Sequence, residues 1–261
     1  LFISSKCSKK ISFLIFVEGY LFSLKRWYIK AITPLSGLNS FKFIAKDLLI
    51  DNNSSINTDI MSFLSIDCST DIGSLFVKCK NKTFSKILQS DKSNIDLLME
   101  HILVFFNENN LKFDDLSSIF VNQGPGNFSG LRGSLAIAKG LSIAKKLELF
   151  GYNTPLLSCV KFFNKQKSII SLIKFREKYF LQEFDKNLKS KTILKKIDEN
   201  EIIKKFDKKF KIVPSNIAVL FDKKILKLSN LSVIDLDYNA LEFLKLKGLL
   251  DKNLIKPLYL S

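Results

Sequence analysis

From residue 61 onward, apolar and polar positions alternate in blocks that each specify an element. The run 61–67 is short and apolar and ends in Asp67-Cys68-Ser69-Thr70, a strand entering a polar turn. Residues 73–78 and 83–88 continue as strands of a meander. Ile95, Leu98, Met99, Ile102, Phe105 and Phe106 then recur at helical spacing, with Ser93 as cap and Asp96 completing an imperfect capping box. A helical turn at 113–116 and a buried strand at 119–122 lead into Gly124-Pro125-Gly126-Asn127-Phe128-Ser129-Gly130-Leu131-Arg132, which feeds a helix running to about Lys146. In the second half, 168–174 and 179–184 read as paired strands around a turn at 175–178, 201–206 as a short helix and 216–221 as another strand. The last helix is expected over 238–250, with Asn239 and Glu242 as its capping box, and the tail 256–260 is extended because Pro257 disfavours helix before it.

Residues 1–60 pattern differently. An apolar run at 11–17 follows Lys9-Lys10 but is short and is interrupted by Glu18; a membrane helix needs roughly 20 apolar residues, so none is expected here. With Leu1 in first place and a polar stretch at 51–59 just before Met61, residues 1–60 read as an upstream extension from a misplaced start, outside the native fold. A targeting or accessory segment is the alternative. Residues 61–160 then form an N-terminal α/β subdomain and 161–261 a smaller, divergent C-terminal one.

Composition changes this picture in two ways. The four cysteines (Cys7, Cys68, Cys79, Cys159) are scattered, without a C-x-x-C pair, which reads as reduced thiols in a cytoplasmic protein. The net charge of +16 invites a nucleic-acid partner, but the basic residues are nearly all lysine; Arg26, Arg132 and Arg176 are the arginines. Lysine as solvated filler in a chain also rich in Asn, Ile and Phe is the preferred account of the charge.

The loop 124–132 holds three glycines and a proline within seven residues, a backbone requirement for positive φ or close approach. The start of the following helix could receive an anion. The Gly-Lys-Ser/Thr ending of a P-loop is missing, and so is the G-x-G-x-x-G spacing. Within the helix, Gly133, Ala136, Gly140 and Ala144 share one face that would let another element approach closely.

Gly-Pro-Gly-Asn-Phe-Ser-Gly-Leu-Arg resembles the Gly-Pro-Gly-x-Phe-Thr/Ser-Gly-x-Arg signature of the TsaB (YeaZ) family. Strand 63–70 resembles that family's opening Ile-Asp-Thr-Ser-Thr, and 136–141 its Ala-x-x-Lys-Gly-Leu; 175–179 and 257–260 agree more thinly. The resemblance implies an actin-like, sugar-kinase and Hsp70 superfamily fold, with two α/β subdomains and mixed sheets. It also implies a noncatalytic partner of TsaD, the transferase that places threonylcarbamoyl on the adenosine next to the tRNA anticodon. A TsaE-type ATPase and tRNA would join through the complex, the chain alone would dimerise, and ATP or ADP would bind at the partner interface, with no intrinsic cofactor or metal. Two enzymes are alternatives: a TsaD-type transferase and a sugar-kinase-like phosphotransferase.

Two histidines and an aspartate would hold metal in a TsaD-type enzyme, and this chain has one histidine, His101, read as a rim residue. Asp67, Ser69, Thr70, Gly124, Gly126 and Arg132 are the candidate nucleotide or anion contacts; Cys68-Ser69 replaces the superfamily's glycine, favouring a capping role for Asp67. Arg132 either meets an anion or partner carboxylate, or fastens the loop to the meander. Met99, Ile102, Gly133, Ala136, Gly140 and Ala144 form the candidate partner interface.

Overall fold

The computed structural model describes residues 14–17, 20–23, 61–88, 96–206, 208–252 and 254–259. Two compact units divide the chain at residues 52 and 53. In the first, β1 (Leu14–Val17) and β2 (Tyr20–Ser23) pair antiparallel. The expectation that residues 1–60 lie outside the native fold concerns, for the rest of that segment, positions outside the described residues.

In the second unit, β3 (Phe63–Asp67), β4 (Gly73–Cys79) and β5 (Lys82–Leu88) form the expected meander. Lys80 and Asn81, both at positive φ, make its two-residue hairpin turn. Helix α1 (Leu98–Glu108) follows, then β6 (Ser118–Asn122), α2 (Phe128–Lys145) and β7 (Glu148–Tyr152). Sheet order is β5-β4-β3-β6-β7, with β6 parallel to β3 and β7 parallel to β6. Central strands β3 and β6 are buried at every residue, as strands covered on both faces must be, while edge strand β5 alternates between exposed and half-buried positions.

The second sheet repeats this topology. Strands β8 (Ser168–Phe175), β9 (Lys178–Asp185) and β10 (Lys195–Ile197) form a meander, and β11 (Phe210–Pro214) and β12 (Leu231–Ile234) add in parallel, giving β10-β9-β8-β11-β12. Its helices are shorter: α4 (Glu199–Lys205), α5 (Ser215–Ala218) and α6 (Lys223–Leu226). Helix α3 (Thr154–Cys159) joins the two halves and α7 (Ala240–Leu246) comes back after β12.

Three apolar clusters define the layers. Leu64, Ile66, Val77, Ile119 and Val121 pack under α1 and α2. Phe63, Phe120, Phe150, Ile169, Phe184 and Ile212 enclose α3 and α7 between the sheets. Leu172, Leu181 and Val213 pack under α4, α5 and α6.

Several local expectations change. The strand at 216–221 is instead the single helical turn Ser215–Ala218 followed by a turn and a bend, and the strand lies earlier, at Phe210–Pro214, where Pro214 ends it. Helix α1 starts at Leu98 without a side-chain cap, so the Asp96 capping box does not form, and Ser93 lies outside the described residues. Helix α7 runs over Ala240–Leu246, shorter than expected, and Asn239 is itself helical in backbone and makes no side-chain cap bond. The halves are also less separate than a boundary at residue 160 suggests. Asp251 bridges to Gly151 through two backbone hydrogen bonds, and the Leu258 N–H donates to the Gln123 carbonyl at 2.7 Å.

Candidate functional site

The motif residues converge where β3 and β6 end. Asp67, 5% exposed, accepts at one carboxyl oxygen from the Ser69 N–H (3.0 Å) and Ser69 Oγ (2.7 Å). Its other oxygen accepts from Asn122 Nδ2 (2.8 Å) and the Tyr238 hydroxyl (3.0 Å). Asn122 also donates to Thr154 Oγ1 at 2.9 Å, and its carbonyl accepts from the Gly124 N–H at 2.8 Å. A buried carboxyl group is tolerated when its oxygens are satisfied, and here the chain satisfies both. Burial, reinforced by the charge of Asp67, raises the Tyr238 and Tyr152 hydroxyls above the ordinary tyrosine range, so they stay protonated. The same two causes push the Cys68 thiol up to about 12, which leaves it inert.

The glycines serve this packing. A Cβ on Gly126 would lie 1.8 Å from the Ser69 carbonyl oxygen, and one on Gly130 would lie 2.1 Å from that of Cys68. Gly124 has φ +109° and precedes a cis Pro125. The Asn127 N–H donates to the Ser69 carbonyl at 2.8 Å, so the glycine loop is stapled to the Asp67 turn. The loop and the turn thus pack backbone against backbone. Thr70 sits at the rim of this turn and donates to the Ile72 carbonyl.

Arg132 is exposed, with its guanidinium 5.0 Å from the centre of the Phe128 ring. Among the described residues no carboxylate of the meander pairs with it, so it does not fasten the loop there. Phe128 in turn lies 5.0 Å from the Tyr259 ring, and both aromatics are about half exposed. Next to Tyr259, a cavity of about 310 Å³ is lined by Phe180, Leu194, Lys196, Pro257 and Leu258.

The expected partner face divides. Ala136, Gly140 and Ala144 are exposed on α2 and Gly133 is half-buried, whereas Leu131, Leu135 and Ala138 turn inward. A Cβ on Gly140 would meet nothing within 4 Å. Met99 is half-buried, and Ile102, fully buried in this chain's own core, offers no surface to a partner. His101 is half-buried on α1. Among the described residues no three His, Cys, Asp or Glu side chains are grouped to hold a metal ion. Asn122, Thr154, Tyr238 and Tyr152 are the members of the site that sequence reasoning did not find.

Residues 89–162 match a family model described as TsaD, tRNA N6-adenosine threonylcarbamoyltransferase. The "tRNA threonylcarbamoyladenosine biosynthesis protein TsaB" of Buchnera aphidicola subsp. Schizaphis graminum is 27% identical over 145 residues, 56% of this chain and 69% of that one. Its namesake from subsp. Acyrthosiphon pisum is 31% identical over 41% of this chain and 44% of its own length. The crystal structure of a Pseudomonas aeruginosa protein described as similar to peptidase YEAZ superposes with TM-score 0.60 at 13% identity, covering 77% of this chain and all of that one. These matches bear out the resemblance to the TsaB (YeaZ) family. Its two mixed sheets of like topology are the actin-like α/β fold expected from the resemblance. Within this TsaB relative, the signature closes a packing joint and launches α2, which packs on the core through Leu131, Leu135 and Ala138 and turns its small-residue face outward.

Proposed function

We propose that this chain is a noncatalytic subunit of the machinery that makes threonylcarbamoyladenosine in tRNA, supporting a TsaD-type transferase. One observation carries the reading: the signature loop is filled by the chain's own backbone and hydrogen bonds, while the helix it launches presents Ala136, Gly140 and Ala144 to solvent. A surface of that shape suits close packing by a helix of another subunit, either the transferase or a second copy of this chain. The TsaB names of the relatives support the pathway. Any ATP or ADP at such an interface would be gripped from the partner's side, since the Asp67 turn is closed. A TsaE-type ATPase and tRNA enter this reading through the assembly, in the cytoplasm. No helix among the described residues is long and apolar enough to cross a membrane.

The test is co-purification with the TsaD-type subunit of the same organism, followed by tRNA modification with and without this chain. Gly140→Glu adds a charged side chain where nothing stands within 4 Å, so the fold is retained. Complex formation is expected to weaken at least tenfold. If the unaltered chain forms no complex, the proposal is wrong. The match to the TsaD family model favours a second reading, a transferase in its own right. That enzyme would modify tRNA without a partner and bind iron or zinc stoichiometrically; the single histidine of the chain argues against it.

A further inference from the structure

The positive charge is not spread evenly along the chain. Residues 161–227, which build the second sheet and its helices, contain 19 Lys or Arg against 8 Asp or Glu, a net of +11. Residues 61–160 contain 10 against 9, a net of +1. A compositional drift toward lysine would load both stretches alike, so the contrast requires a local cause.

Where the second-sheet lysines lie narrows that cause. Helices α4, α5 and α6 bury Ile202, Ile217 and Ile225 against one face of the sheet. Lys204, Lys208, Lys223, Lys224 and Lys227 are exposed around them. The nearby carboxylates are partly spent inside the layer. Asp222 is engaged by Lys174 and the Tyr179 hydroxyl, and Glu201 by Lys205. Asp198 and Glu199 remain at the opposite end of α4, away from its last turn.

We propose that the outer layer of the second sheet, centred on the last turn of α4 and on α6, binds the phosphate backbone of RNA. A surface this dense in lysine favours this occupant over an acidic protein. Lysine is depleted in the core of protein interfaces, where arginine and aromatics dominate. Point charges on flexible stems suit phosphates read without base specificity. This rests on the function proposed above for the choice of tRNA as the RNA, and it makes this subunit a direct contact.

The experiment uses the full chain and fluorescently labelled tRNA, with anisotropy followed from about 50 to 300 mM salt. Lys204→Glu/Lys224→Glu/Lys227→Glu is compared with Lys80→Glu/Lys82→Glu/Lys112→Glu, an equal charge change on exposed lysines of the first half. Each phosphate contact contributes roughly 0.7–0.9 to the slope of log K against log salt. The α4/α6 variant is expected to bind at least tenfold more weakly with a slope lower by about 2, and the control variant to change less than threefold. Both should melt with the unaltered protein. Equal weakening by the two variants, no binding by the unaltered chain, or equal affinity and slope for polyglutamate would overturn the proposal. Retention of the TsaD-type partner by the α4/α6 variant separates this result from the fate of the subunit reading. A wild-type chain that binds tRNA in this way yet captures no partner would sink that reading alone.

Discussion

A methyl group distinguishes Gly126 from Gly140, though both belong to one motif and the helix it starts. Gly126→Ala drives a Cβ into the Ser69 carbonyl at 1.8 Å, a backbone clash that neither the loop nor the turn can relieve without breaking the Asn127-to-Ser69 hydrogen bond. We expect a loss on the order of 3 kcal/mol in urea denaturation. Gly140→Ala meets nothing and replaces a flexible residue in an exposed helix, so a gain of about 0.5–1 kcal/mol is expected. If the two variants move together, the close-approach argument fails. The thiols give a separate check. Burial pushes both Cys68 and Cys159 up to about 12, so at pH 8 both remain thiols. Peptide mapping after iodoacetamide should find them unmodified in the native protein and alkylated in denaturant. The signature glycines were legible in the sequence because their reason is local. Tyr238 was not: it reaches Asp67 from 171 positions away, and no periodicity encodes such a partner.

At the scale of elements, the pattern revealed what is locally regular. The meander β3–β5, the strand β6, the long helix α2 and the β8–β9 hairpin were all visible, because alternation and helical spacing state them directly. Strand β7 was hidden because α2 ends in Lys146 at φ 53° rather than in a glycine, so no stop signal separates helix from strand. In β11, Lys211 is fully buried and caps the Phe206 and Lys209 carbonyls, so a core position reads as polar. These hidden elements are also fixed electrostatically. Glu148 on β7 receives Lys245 of α7 at 2.7 Å and Lys252 at 2.9 Å, and these bonds hold its carboxyl below the ordinary glutamate range. A depressed carboxyl stabilises the fold above its unfolded-state pKa and loses that contribution as pH falls through the folded value. Glu148→Gln should therefore be less stable at pH 7, by no more than about 1 kcal/mol because the group is part-exposed. The difference should vanish in melts taken well below the ordinary glutamate pKa. A gap that persists there would mean that packing, not charge, links β7 to α7.

For the molecule as a whole, the duplicated topology suggests two domains, but the apolar packing unites them. The cluster between the sheets draws Phe63, Phe120, Phe150 and Tyr152 from the first and Ile169, Phe184 and Ile212 from the second, with Leu241 and Leu244 of α7 among them. Each such side chain contributes roughly 1.5–3 kcal/mol by burial, more together than the net stability of a typical domain. Cutting the chain at the boundary suggested by its sequence would expose this face of the first sheet and remove Tyr238 from Asp67, leaving a buried carboxyl one donor short. A fragment spanning 61–160 is thus expected to collapse without fixed packing: near-ultraviolet circular dichroism lost, far-ultraviolet signal partly kept. The second unit of the intact chain, residues 53–261, should unfold in one calorimetric transition, its van't Hoff and calorimetric enthalpies equal. Two resolved transitions within that unit, or a fragment with native near-ultraviolet signal, would show that each sheet stands alone. In that case the basic second sheet could be tested for RNA binding by itself; with one transition, the face that meets RNA and the helix that meets a partner are held at a fixed relation by the core they share.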